Sequence, residues 1–202
     1  MLGIPTYKPK FHNSAESFKL EFDKTLSELI GKNIDRFWVM WELKENECLA
    51  DAPIILEIDG NRFEFTAYQL DEFSLTINSF ELTEKLDWYG MGSEMPLIWK
   101  ENGKAEMTKN LRKPIIGINI LTFNFVSEFV ESGKKNETGD MLTGIEFIFE
   151  KESESDNDNY FSIYNGLDQN ALSTTEIKQE NQIKRIKITG YNNGNRCTAS
   201  NF

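Results

Sequence analysis

Thirty-three aspartates and glutamates give this chain its widest opening to chemistry. Two carboxylates held across a cleft can serve as acid and base, as they do in glycoside hydrolysis. Other catalytic constellations are thin. His12 is the one histidine, in a segment interrupted by Pro5 and Pro9, so a Ser or Cys triad has a single imidazole to draw on. No GxSxG is present. Cys48 and Cys197 lack a CxxC or CxxH neighbour, which leaves zinc short of its three or four ligands. Asp156-Asn157-Asp158-Asn159 opens like a calcium loop but lacks the glycine at the sixth position and the closing glutamate at the twelfth. Gly90-Met91-Gly92 carries two glycines without the rest of a phosphate loop. No cofactor and no metal are expected. A hydrolase with a carboxylate pair is the catalytic reading, and it stands third of three.

Charge says more. The chain carries −11, and residues 42–94 alone hold thirteen acidic residues against Lys44, Arg62 and Lys85. Residues 100–113 are positive, with five basic residues against two acidic. This balance argues against nucleic acid and against anionic membranes, both of which call for clustered Lys and Arg. It suits long-range attraction of a basic partner. Asp87-Trp88-Tyr89 and the run to Trp99 add aromatics and methionines in a loop-like stretch, a composition common at binding hot spots. The candidate partner-binding residues are therefore Glu57, Asp59, Glu64, Asp71, Glu72, Asp87, Trp88, Tyr89 and Trp99.

These residues need elements to hold them. Asn13 as N-cap, with Glu16 three residues on, opens a helix over about 14–30, in which Phe18, Phe22, Leu26, Leu29 and Ile30 recur at helical spacing up to Gly31. From Ile34 the period becomes two. Phe37, Val39, Trp41 and Leu43 share one face, with Trp38 and Met40 on the other, so both faces need cover and the helix is the expected cover of one. Residues 53–59 and 61–68 read as a hairpin about Asp59-Gly60-Asn61, with Ile54, Leu56, Ile58, Phe63 and Phe65 inward and Glu57, Asp59, Arg62 and Glu64 in water. Further strands are expected near 73–82, 115–126, 142–150, 160–164 and 183–189, with a short hairpin at Asn102-Gly103. Residues 151–159 read as an exposed acidic turn and residues 190–202 as a disordered tail.

One helix followed by strands without a βαβ rhythm gives an α+β fold: one N-terminal helix and a mainly antiparallel, curled sheet, as a sandwich or partial barrel. Residues 1–189 form one domain on this reading. The first fourteen residues have no apolar run long enough for a signal-peptide core, and two cysteines are too few for a disulfide framework, so a cytoplasmic protein is expected. Unpaired hairpin edges leave room for a homodimer.

Four phrases together resemble a group of small bacterial proteins without a settled biochemical role: WELKENECLADAPIILEIDG (41–60), LDWYGM (86–91), LTGIEFIFE (142–150) and YNGLDQNAL (164–172). The last is similar to an N-x-L-D-E-N-G-L segment, with Gln169 and Ala171 departing from it. In size, acidity and lack of catalytic residues the chain also resembles, in type, the immunity proteins of bacterial toxin systems. Those bind and neutralise a toxin, often a basic nuclease. The resemblance implies that acidic residues of 42–94 meet a basic surface. Three functions follow in order: a non-catalytic protein that neutralises or chaperones a basic partner, a small-molecule-binding β-barrel-like protein with a cavity lined by residues such as Phe123, Phe125 and Phe147, and the hydrolase.

Overall fold

A computed structural model describes residues 1–128, 133–167, 169–178 and 182–189. The expected tail at 190–202, with Cys197, lies outside the described residues. The helix α1 spans Ala15–Ser27. Its cap is Ser14, one residue later than expected, because the Ser14 hydroxyl and not the Asn13 amide accepts the Ser17 N–H. The helix also stops a turn earlier than the spacing predicts. Gly31, at φ +90°, turns its N–H onto the Ile115 carbonyl, which directs the chain toward the sheets.

Two antiparallel sheets follow. In the first, β1 (Arg36–Glu42) is flanked by β6 (Leu97–Glu101), by β3 (Ile54–Ile58) along its first half and by the two-residue β2 (Glu47–Cys48) at its end. From β3 the sheet continues through β4 (Asn61–Tyr68) to β5 (Glu72–Ile77). The β3–β4 turn is as expected: Asp59 and Gly60 both have positive φ, the geometry that matches the twist of a two-residue hairpin. The second sheet has the order β10 (Asn170–Ser173), β9 (Tyr160–Asn165), β8 (Lys135–Phe149), β7 (Ile115–Glu128), β11 (Ile183–Ile188). Neither sheet closes on itself among the described residues.

The sheets share one core. Phe37, Val39, Ile54, Leu56, Phe63 and Phe65 of the first meet Ile118, Ile120, Leu142, Ile145, Phe147 and Phe161 of the second, with Phe18, Phe22 and Leu26 of α1. The strand period of two explains this division, since alternate residues of each strand reach the core. The opposite face of the first sheet has its own cover, and it is not α1. Trp38, Met40 and Ile55 pack under Leu2, Ile4 and Tyr7 of the N-terminal segment and under Phe80, Leu82, Trp88 and Trp99. The expected Asn102-Gly103 hairpin is absent: β6 pairs with β1, and Ala105–Asn110 forms a 3₁₀ turn. Asn102 instead exchanges hydrogen bonds with the Phe37 backbone. No helix among the described residues is long and apolar enough to cross a membrane.

Asn170 ties the two sheets together. Its carbonyl oxygen accepts the Ala67 N–H at 2.7 Å, its amide donates to the Ala52 and Ala50 carbonyls, and its own N–H goes to Ala50. Buried backbone groups left without partners are costly, so Asn170→Ala is expected to lower stability by about 2–3 kcal/mol. Urea denaturation checks this, with a lower midpoint and an unchanged slope as the expected result. Asn165, on the same β9–β10 turn, donates to the Gln69 carbonyl at 2.5 Å and fixes the β4–β5 turn beside it. Asn165 and Asn170 of the YNGLDQNAL phrase are thus structural ties.

Candidate functional site

The expected acidic face of the β3–β4 hairpin does not form. Glu64 is fully buried, not in water, because the N-terminal segment and residues 78–80 close over it. Its carboxylate accepts from the Ser79 N–H and from the Thr76 and Ser79 hydroxyls. Glu57 is mostly covered and paired with Arg36 at 2.9 Å, and the exposed Asp59 is paired with Lys32 at 2.6 Å. Asp71 and Glu72 stand half-buried at the β4–β5 turn, well along the sheet from this corner. The acidic residues are distributed over separate ion pairs and caps.

Burial pushes the Glu64 carboxyl above its ordinary value, against the pull of its three hydrogen bonds. The folded protein therefore holds that proton at pH values where the unfolded chain has released it. Stability falls as pH rises above the unfolded carboxylate value near 4.5 and levels off above the folded value. Glu64→Gln is expected to flatten that part of the profile, because the amide keeps an acceptor for the Ser79 N–H and the hydroxyls can rotate to meet its NH₂. Melting temperature followed from pH 4.5 to 8 in both proteins checks it.

The 87–99 stretch is partly cover and partly surface. Trp88 and Trp99 belong to the outer cluster; Trp99 stacks on Phe80 at 5.8 Å, and Trp88 meets Tyr89 edge-on at 5.2 Å. Asp87 accepts the Gly92 N–H and so shapes its own loop. Tyr89 and Met91 remain exposed. Met91, Glu94 and Met95 border a shallow concavity of about 230 Å³ with Glu42, Lys44, Glu45 and Glu47 of the β1–β2 turn. Glu42 is committed there as a turn cap for the Lys44 and Glu45 N–H groups, which lowers its pKa.

The buried carboxylates are held by structural partners. Among the described residues the buried carboxylates are Glu42, Glu64, Glu146 and Asp156. Glu146 is held by Arg185 through both oxygens and by Asn119. Residues 151–155 and 157 are exposed, as expected of the acidic turn, but Asp156 within it is buried. Lys109 sits on it at 2.7 Å, the Asp158 and Glu152 N–H groups add to that, and its carboxyl is held down to about 2. The Lys109 ammonium, also 3.6 Å from Asp158, stands where a cation would. No group of three or more His, Cys, Asp or Glu among the described residues is placed to hold a metal. His12 is buried against Phe18 and Phe22, shares a hydrogen bond with Ser17, and has its pKa lowered by burial. Cys48 is half-buried, and burial raises its thiol.

The most developed concavity lies elsewhere, at the end of the second sheet where the β7–β8 hairpin runs past its neighbours. A partly enclosed pocket of about 490 Å³ is walled by Phe123, Phe125 and Met141 of the hairpin, Ile183 of β11, Tyr164 and Asn165 at the end of β9, Gly166 and Leu167 of the β9–β10 turn, and Leu70 of the β4–β5 turn. Register explains the wall. Phe123 pairs with Met141 on one side and Ile183 on the other, so the three side chains stand abreast on one face. A bulge between Leu121 and Thr122 and a second between Asn124 and Val126 bend the hairpin there. Gly144 lets β9 approach closely, and Asn165 holds the Leu70 turn in place. Of the three phenylalanines expected to line a cavity, Phe123 and Phe125 do, whereas Phe147 is in the shared core. Leu70 and Leu167 come from turns that sequence periodicity does not register, whereas Tyr164 stands at the end of β9, within the strand expected at 160–164.

Compared with known proteins, the chain matches no family model, no curated protein and no solved structure.

Proposed function

We propose that the protein is a non-catalytic binding protein whose ligand seats an apolar group in the pocket at the end of the second sheet. One observation carries this reading: Leu70, Phe125 and Leu167, three of the large exposed apolar side chains, converge on a single concavity of about 490 Å³. That volume falls in the range of small-molecule sites, and covering the three side chains is favourable by about 25 cal/mol per Å². Leu167 also has φ +65°, a backbone region costly for a residue with a branched side chain. Strain retained beside a concave apolar wall fits a residue kept for contact. Leu167→Gly is expected to leave stability unchanged or raise it by about 1 kcal/mol, while binding of a polarity-sensitive dye weakens at least severalfold. Thermal melting and a dye titration read the two effects. Undiminished dye binding would overturn the assignment of the pocket.

The basic-partner reading is favoured by a different observation. Exposed Glu45, Glu47 and Glu94 stand with Met91 around the smaller concavity, on a chain of net charge −11. On this immunity-like reading, a basic protein docks at the β1–β2 turn and the 91–95 loop in place of the 57–64 hairpin. Association would then weaken steeply with salt.

A further inference from the structure

The twelve described residues that line the end pocket include no Asp, Glu, Lys, Arg or His, in a chain where 27% of residues are charged. Two charges beside the Phe123–Met141–Ile183 row, Asp140 and Lys184, are turned away. Asp140 pairs with Asn124, and Lys184 with Thr122, so both alternate to the face opposite Phe123, Met141 and Ile183, where they bond each other at 2.7 Å. Polar groups in the lining are few and mostly engaged. The Thr138 hydroxyl is tied to the Phe125 backbone, and the Asn165 amide to Gln69. The Tyr164 hydroxyl and the Gln182 side-chain amide, also in the lining, bond no partner among the described residues. Both can donate and accept without carrying charge.

We infer that the end pocket takes a neutral small molecule with an apolar body and a hydroxyl or carbonyl group, the latter meeting Tyr164 or Gln182. This rests on the pocket reading above and narrows it. A carboxylate on the same body finds no cation among the described lining residues and meets a protein of net charge −11. An ammonium finds no anion among the described lining residues and loses its hydration.

Three probes on one aromatic body separate the two levels of the claim: 2-acetonaphthone, 2-naphthoate and 2-naphthylmethylammonium. Each is titrated into the full chain by calorimetry, alongside Met141→Trp, which fills the pocket, and Leu70→Asp, which places a carboxylate at its rim. The ketone is expected to bind, the two ions at least about tenfold more weakly. Met141→Trp should abolish ketone binding at unchanged melting temperature, and Leu70→Asp should shift preference toward the ammonium. If either ion binds as well as the ketone and Met141→Trp abolishes all binding, the ligand class is wrong and the pocket stands. If no probe binds, or if both variants bind like the parent, the pocket reading itself fails with the inference.

Discussion

Replacing Arg185 by methionine is expected to lower stability by about 3 kcal/mol, close to the largest effect any single ion-pair change in this protein should have. Glu146 is fully buried on β8, and Arg185 reaches it from β11 with bonds of 2.9 and 3.2 Å to its two oxygens. Asn119 supplies a third donor at 2.9 Å. Removing the guanidinium leaves a carboxylate in the interior with one neutral donor. The cost is that of an uncompensated charge more than of a lost contact. For a chain of this size the midpoint of thermal unfolding should fall by roughly 6–12 °C. The double change Arg185→Met with Glu146→Gln should recover most of that loss, since it removes the stranded charge. If the double variant were as unstable as the single one, packing by the arginine stem would be the cause instead.

Gly144→Ala is the second large effect. A methyl group there would lie 2.3 Å from the Ile163 carbonyl oxygen and 2.7 Å from the Tyr164 Cα, both backbone atoms of the neighbouring strand. Neither can rotate aside, so β8 and β9 must separate at the Gly144–Tyr164 pair. A loss of about 3 kcal/mol or more is expected, at the upper end of overpacking. Because Tyr164 also lines the end pocket, residual folded protein should bind a pocket dye more weakly. Chemical denaturation and dye titration on one preparation measure both. A stable Gly144→Ala protein would mean that the strands have room to part here.

Much of the fold was legible in the sequence. Alternation placed Phe37, Val39, Ile54, Leu56, Phe63 and Phe65 on one inward face, and Asp59-Gly60 marked the hairpin turn. The surface charge was not legible, for a specific reason. Glu64 has the alternation of a solvent-facing residue, and only the N-terminal segment folding over the first sheet buries it. Local period cannot register a cover supplied from some sixty residues away, where Tyr7 bonds the Thr66 hydroxyl at 2.5 Å. Asp156 is a parallel case: within an exposed acidic turn it alone among the acidic residues is buried, where Lys109, far along the chain, reaches it. The pocket was half legible. Phe123 and Phe125 share a strand face by spacing, but Leu70 and Leu167 join them only through the contact between two turns at Asn165 and Gln69.

The most direct measurement is a methyl-resolved NMR titration of the full chain, labelled at Met, Leu and Ile methyl groups, with 2-acetonaphthone. The expected result is saturable shifts confined to Leu70, Met141, Leu167 and Ile183. Shifts centred on Met91 and Met95, or no saturable shift at any of these methyl groups, would contradict the end pocket as the ligand site.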